Sequence, residues 1–283
     1  MIQVELIKDL KENIKIAKSS NKSIGFVPTM GYLHEGHMAL VNQARIENDF
    51  VVMSIFVNPA QFGPNEDLDR YPRDLERDTK MAIEAGVDLL FYPQAHEMYP
   101  KDGGISIQAG QLANVLCGAS RPGHFDGVLK VVTKLFHLIN PTRVYFGQKD
   151  AQQLAIIETL VRDYNFPLEI RRVETVREVD GLAKSSRNVF LSEAERKQAP
   201  AINRGLHLGV DYFMKTFEAE KAKQLTIQHI EQFTSGKIDY VELLSYPDLS
   251  IELADASTII LAVAVFFEKA RLIDNIIINI NEV

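Results

Sequence analysis

The chain has 283 residues, 46% of them hydrophobic and 24% charged, an ordinary globular composition that suits one large domain plus a smaller one. Its net charge of −7 argues against a nucleic-acid partner, which calls for a basic face, while leaving room for a local phosphate pocket. A single cysteine, Cys117, excludes an internal disulfide and a CxxC zinc pair, and favours a reducing, cytoplasmic setting.

The N-terminal segment is amphipathic with interspersed charges and lacks the apolar core of a signal peptide. Ile24–Val27 reads as a first strand, Gly36–Glu47 as a helix, and Phe50–Val57, apolar throughout, as a strand covered on both faces. A charged-faced helix is expected over Asp69–Ala85 and a strand over Asp88–Phe91. Next come a helix over Phe125–Leu138, a strand over Arg143–Phe146, a helix over Asp150–Arg162 and a strand over Leu168–Val173. This rhythm predicts a Rossmann-like, doubly wound parallel sheet, whose ligands sit outside the carboxyl ends of the strands. From about Val176 the pattern changes. A helix capped by Ser192 is expected over Glu193–Lys215 and another over Thr226–Phe233. Strands are expected over Ile238–Leu244, Thr258–Phe267 and Leu272–Ile280. The expected organisation is therefore an α/β domain over 1–175 and a smaller α+β C-terminal lid domain over 176–283. The strongest apolar run, Thr258–Phe267, is too short to span a bilayer, so no membrane partner is expected.

Five polar motifs stand out. Pro28-Thr29-Met30-Gly31-Tyr32-Leu33-His34-Glu35-Gly36-His37 follows the first strand. His34 and His37 share a face at a helix start, where free N–H groups already favour an anion. HxxH alone also fits two structural histidines or two zinc ligands. The whole string fits phosphate binding and resembles the HIGH signature of the adenylyl-transferring superfamily. Asn58-Pro59-Ala60-Gln61-Phe62 offers two amides beside apolar groups, suited to a small hydroxy acid or to an ordinary turn. Asp67–Arg73 follows it, where Tyr71 could close over a ligand or the charges could line a solvated loop. In Ser120-Arg121-Pro122-Gly123-His124, Arg121 and His124 either present cations or form a structural turn. Gly147-Gln148-Lys149-Asp150 sits at a strand-to-helix junction. Gly147 lets the backbone approach a nucleotide, Lys149 is a point charge for phosphate, and Asp150 is either a helix cap or part of a Mg²⁺ shell. Gln153 follows about one turn on. The block Arg177-Glu178-Val179-Asp180-Gly181-Leu182-Ala183-Lys184-Ser185-Ser186-Arg187-Asn188 turns at Gly181 into a cationic loop able to fold over a triphosphate, or is a polar linker.

Taken in order, PTMGYLHEGH, SIFVNPAQFGPNEDLDRYPRD, SRPGHFDGV, YFGQKDAQQL, NFPLEIRRVETVREVDGLAKSSRNVFLS and RLIDN resemble the sequence blocks of the pantothenate synthetase family, chiefly over residues 24–192. The resemblance implies an ATP-dependent ligase. Pantoate attacks the α-phosphate of ATP, giving pantoyl-adenylate and pyrophosphate, and β-alanine then displaces AMP. It implies that His34, His37 and Lys149 bind phosphates and support adenylation, with His37 also an electrostatic or proton-donating group. Ser185, Ser186 and Arg187 clamp the triphosphate, with Lys184 beside them. Gln61 and Gln153 hold the pantoate hydroxyl and carboxylate, Met30 packs on its methyls, and Asn58 and Tyr71 line the same area. Pro28, Thr29, Gly147, Asp150 and the Val176 backbone meet the nucleotide. Mg²⁺ rides on the phosphates without a dedicated protein site, with Asp150 its one candidate contact. A homodimer is implied as well. Four positions depart from the family pattern. Lys184 replaces a usual Met, Cys117 an acidic residue, Lys130 a Thr, and Tyr32 a small residue. The alternative is a nucleotidylyltransferase of the same superfamily acting on a phosphate-bearing substrate.

Overall fold

The computed structural model describes residues 1–64, 66–100 and 104–282. In chain order the elements are β1 (Ile2–Val4), α1 (Ile7–Ser19), β2 (Ile24–Thr29), α2 (Glu35–Glu47), β3 (Phe50–Ile55), α3 (Leu75–Glu84), β4 (Leu89–Phe91) and α4 (Ala95–Met98). They continue with α5 (Leu116–Ser120), α6 (His124–Ile139), β5 (Arg143–Gly147), α7 (Ala151–Asp163) and β6 (Glu169–Val173). The last group is α8 (Glu193–Gln198), α9 (Ala201–Thr216), α10 (Ala219–Phe233), β7 (Lys237–Ser245), β8 (Thr258–Phe266) and β9 (Arg271–Asn279).

The chain divides into two compact units, the first formed by 1–109, 121–148 and 156–174 and the second by 110–120, 149–155 and 175–283. The first unit carries a six-stranded sheet in the order β1-β4-β3-β2-β5-β6, every pair parallel. Chain order runs outward from β2 in both directions, through β3 to β4 on one side and through β5 to β6 on the other. Such a reversal opens a crevice at the carboxyl ends of the strands. Register shows where it opens. β2 pairs with β3 along its whole length, Ile24↔Phe50 to Thr29↔Ile55, but with β5 only at Gly25↔Arg143 and Phe26↔Val144. Pro28, which has no N–H to donate, lies beyond the β5 pairing, where its missing donor breaks no ladder. Val27, Val51, Met53, Leu90 and Tyr145 from the strands meet Leu40, Val41 and Ala44 of α2 in one buried cluster. The four central residues of β3 are buried, as its unbroken apolar run predicts.

The second unit carries an antiparallel sheet in the order β7-β8-β9. Leu206 and Phe213 of α9 and Ala222 and Ile230 of α10 pack against Leu261, Val263 and Val265 of β8 in its main core. A second cluster joins Leu116, Ala151, Ala155, Leu244, Tyr246 and Ile260. It explains why 110–120 and 149–155 group with the C-terminal residues, whereas the sequence suggested one cut near 175.

Several element limits differ from expectation for local reasons. Helix α3 begins at Leu75, not Asp69, because the Asp74 side chain caps it by accepting the Arg77 N–H at 3.1 Å, and Pro72 lies just before. The helix expected over Glu193–Lys215 is two helices, α8 and α9, separated at Ala199 and Pro200. Helix α10 starts at Ala219, seven residues before Thr226. Both β1 and α1 lie in the N-terminal segment that the sequence marked only as amphipathic. Among the described residues no helix is long and apolar enough to cross a membrane.

Candidate functional site

The turn between β2 and α2 lies at the switch point, and its backbone is unusual. Gly31 has φ +85°, and a Cβ there would stand 2.9 Å from Ile55 Cγ2 and 3.0 Å from Asp78 Oδ2. Tyr32 follows at φ +50°, a left-handed conformation that side chains avoid. Asp78 of α3 compensates. It is 1% exposed, and its two carboxylate oxygens accept the Tyr32 N–H at 2.6 Å and the Leu33 N–H at 2.7 Å. Burial pushes its carboxyl above the usual range, against the opposing pull of those two N–H bonds. Thr29 braces the other side of the turn, donating its hydroxyl to Ser54 O at 2.7 Å and accepting the Gly31 N–H at 3.2 Å.

His34 caps α2. Its Nδ1 accepts the Gly36 N–H at 3.1 Å, and His37 Nδ1 accepts the His34 N–H at 3.2 Å. The two ring centroids are 4.0 Å apart. Because both Nδ1 atoms act as acceptors, each neutral ring carries its proton on Nε2. The helix start thus holds two imidazoles in one tautomer at a helix N-terminus, where the dipole favours an anion.

Asn58 caps the 3₁₀ turn Pro59–Gln61. It is 1% exposed, and its amide is fully bonded inside the protein. Nδ2 donates to Gln61 Oε1 and to Gly127 O, both at 3.0 Å. Oδ1 accepts from the Ala60 N–H at 3.2 Å and from the Tyr99 hydroxyl at 2.9 Å. The sequence reading set Asn58 against a ligand. The structure gives it the task of holding Gln61, whose Nε2 lies 3.3 Å from Met30 Sδ. Gly127 allows this, since a Cβ there would fall 2.1 Å from Ala60 O and 2.6 Å from Gln61 Cα. Tyr71 is buried with its ring edge-on to Phe62, so it already packs within its own loop.

Arg121 and His124 form a connected group with Gln61 and Glu66. Arg121 Nε donates to Glu66 Oε1 at 2.8 Å, and Arg121 NH1 lies 3.1 Å from His124 Nε2. His124 Nδ1 lies 2.8 Å from Gln61 O, a carbonyl that can only accept, so Nδ1 carries the proton and Nε2 accepts from Arg121. Burial pushes the Glu66 carboxyl up, but the Arg121 hydrogen bond and charge outweigh it and leave it below the usual range. The loop read as presenting cations is thus a neutralised pair that braces the Gln61 backbone.

In the second unit, Lys149 Nζ lies 3.2 Å from Asp150 Oδ2, and Lys149 O accepts from Asn275 Nδ2 at 2.9 Å. Gln153, half-buried, lies in the first turn of α7. Its neighbour Gln152 donates to Leu112 O at 2.8 Å and Val115 O at 2.7 Å, fastening 110–120 to α7. Residues 176–184 form a small hairpin. Glu178 N donates to Leu182 O, Lys184 N donates to Val176 O, and Gly181 turns the chain at φ +92°. The Val176 carbonyl is therefore already used. Arg177 binds the buried Asp274 through NH1 at 2.7 Å and NH2 at 2.9 Å. Lys184 pairs with Glu178 at 2.8 Å, which offsets the charge this departure adds. Ser185 caps the 3₁₀ turn Ser186–Phe190, its Oγ accepting the Arg187 N–H at 3.3 Å. Among the described residues no group of three or more His, Cys, Asp or Glu could hold a metal ion.

Asp78, Tyr99, Glu66 and Arg177 were not singled out by the sequence. Asp78 looks like one more charge on a charged helix face, and Tyr99 like a lone aromatic beside a proline. Only Arg177 carried a signal, as the first residue of the block ending in the KSSRN loop.

These features define a doubly wound α/β protein with an imidazole-capped helix start at its switch point. The family model for pantoate-β-alanine ligase matches residues 3–277. A pantothenate synthetase from Lysinibacillus sphaericus is 60% identical, over 98% of this chain and 97% of its own. The crystal structure of pantothenate synthetase from Thermus thermophilus superposes with a TM-score of 0.91 at 46% identity, covering 98% of this chain and 99% of that one. That of pantoate-β-alanine ligase from Francisella tularensis, complexed with β-γ ATP and β-alanine, gives 0.80 at 36% identity, covering 98% and 97%. The chain belongs to the pantoate-β-alanine ligase family.

Proposed function

We propose that the protein condenses pantoate with β-alanine at the expense of ATP, through a pantoyl-adenylate. The observation that carries this reading is the pair His34 and His37, fixed in one tautomer at a helix start in the crevice of the sheet, in a chain of this family. The pantoate carboxylate is already ionised and nucleophilic, so the first step needs no activated side chain. Its oxygen bonds to the α-phosphorus of ATP, the bond to the bridging oxygen breaks, and pyrophosphate leaves. The β-alanine amine then bonds to the acyl carbon, AMP leaves with the C–O electron pair, and the nitrogen loses a proton. Positioning and electrostatics do the catalytic work.

His34 and His37 donate Nε2–H bonds to the phosphates, with Pro28 and Thr29 shaping the turn beneath them. Lys149 stabilises the charge that develops on adenylation, and Ser185, Ser186 and Arg187 bind the triphosphate beside Lys184. Gly147, Asp150 and the Val176 backbone contact the nucleoside. Gln61 and Gln153 hold the pantoate hydroxyl and carboxylate, Met30 packs on the methyl groups, and Tyr71 backs the loop beside them. MgATP is the substrate, its ion carried by the phosphates, with Asp150, half-exposed and paired with Lys149, as its candidate protein contact. The single cysteine supports a reducing, cytoplasmic setting, and the family resemblance supports a homodimer.

The test is incubation of pure protein with ATP, Mg²⁺ and pantoate, with and without β-alanine, following pyrophosphate, AMP and pantothenate. Pyrophosphate with pantoate alone, then AMP and pantothenate on adding β-alanine, is the expected result. Formation of ADP would overturn the adenylate route. The alternative nucleotidylyltransferase reading finds no support in the relatives, which are pantothenate synthetases.

A further inference from the structure

Tyr99 stands at the far end of the hydrogen bonds that hold Gln61. Its hydroxyl donates to Asn58 Oδ1 at 2.9 Å. The polarity of the chain is fixed by backbone. With Oδ1 accepting the Ala60 N–H and Nδ2 donating to Gly127 O, the Asn58 amide cannot flip without setting its NH₂ against a donor and its oxygen against a carbonyl, and the Tyr99 hydroxyl holds the amide in this place as a second donor to Oδ1. Asn58 Nδ2 therefore points at Gln61 Oε1, which fixes the Gln61 amide in turn, leaving its NH₂ at the outer end beside Met30 Sδ. A Gln amide can offer a ligand either an acceptor or a donor. Here the donor is selected through Asn58.

The Tyr99 hydroxyl is suited to start such a chain. Burial pushes its pKa up to about 12, so it stays protonated and can donate at neutral pH. The ring is held by cations: Lys130 Nζ lies 4.8 Å and Lys134 Nζ 5.8 Å from its centroid, and Lys134 also donates to Met98 O. Lys130 is one of the departures from the family pattern, and this contact gives it a place.

We propose that Tyr99 is a positioning residue for the hydroxy-acid substrate, holding Asn58 and, through it, the donor end of the Gln61 amide in place. The inference rests on the proposed ligase reading. Its test is Tyr99→Phe, which removes one oxygen atom and keeps the ring with its cations. Initial rates are measured while pantoate and ATP are varied separately. The expected result is a rise of about 3- to 10-fold in KM for pantoate, the scale of one neutral hydrogen bond. KM for ATP, kcat and the melting temperature should stay close to wild type. An unchanged KM for pantoate, or KM values for pantoate and ATP that rise together, would overturn it, since a general loosening of the fold spares neither substrate. Lys130→Met, which keeps the stem and removes the charge, should move KM for pantoate in the same direction by less. If wild-type protein shows no pantoate-dependent pyrophosphate release, the ligase reading fails and takes the substrate assignment with it. If wild type turns over and Tyr99→Phe matches it, only the role of Tyr99 fails.

Discussion

Asp78 accepts the backbone N–H of Tyr32 at 2.6 Å, and this bond joins α3 to the one left-handed non-glycine residue in the turn between β2 and α2. The second carboxylate oxygen takes the Leu33 N–H, so one side chain fixes two consecutive amides that direct the chain into α2. The Arg77 guanidinium, 5.1 Å from the Tyr32 ring centroid, covers the outer side of the same residue. Asp78→Asn keeps the shape but offers one acceptor where two are needed, leaving a buried N–H facing an NH₂. The expected cost is about 1–3 kcal/mol in urea denaturation, together with slower adenylation. A midpoint equal to wild type would show that the turn is held by other contacts.

Gly127 sets the distance between α6 and the turn that carries Asn58 and Gln61. In Gly127→Ala the new Cβ meets the backbone of Ala60 and Gln61 at 2.1–2.6 Å, and no rotamer change can relieve backbone. The turn must move outward with Gln61, and a displacement on the order of 1 Å lowers kcat/KM for pantoate by about 10²-fold. Overpacking of this kind also costs about 1–3 kcal/mol of stability. Steady-state kinetics beside a thermal melt separates the two effects. A variant with full affinity for pantoate would place the substrate away from Gln61.

His37→Ala and Lys149→Ala remove groups assigned to the charge that develops on the α-phosphate. Each should slow adenylation by roughly 10²–10³-fold, the usual scale for one electrostatic stabiliser. Pantoate-dependent exchange of labelled pyrophosphate into ATP reports that half-reaction without β-alanine. Rates close to wild type in both variants would remove these residues from the chemistry.

Much of this architecture is written locally. The unbroken apolar run at β3, the glycines and histidines after β2, and the βα rhythm up to β6 each mark their element from neighbouring residues alone. What escaped depends on partners distant in sequence. Asp78 acquires its role from amides 45 and 46 positions away, and Tyr99 from an amide 41 positions away. Residues 110–120 join the C-terminal residues because Leu116 packs with Ala151 and Ile260, which no local pattern encodes. Helix limits slipped where one side chain decides them, as Asp74 does at the start of α3. Arg121 could be read as a presented cation because its counter-ion, Glu66, lies 55 residues earlier.

That pair carries a pH dependence. Arg121 holds the Glu66 carboxyl below its ordinary value despite the opposing effect of burial. A carboxylate whose folded-state pKa is depressed contributes stability that is present above the unfolded-state value, here 4.5, and lost as the pH falls through the folded-state value. Glu66→Gln cannot titrate and leaves Arg121 without its counter-charge. The melting temperature of wild type should therefore exceed that of Glu66→Gln most clearly near neutral pH, with the gap closing as the pH falls below about 4.5. Because Arg121 also donates to His124 Nε2, loss of the pair frees Arg121 from the position in which it braces His124 against Gln61 O. Glu66→Gln should accordingly raise KM for pantoate at neutral pH, with KM for ATP unchanged. A melting-temperature gap that is constant between about pH 3 and 7 would show that the pair adds nothing to folding, whatever its geometry.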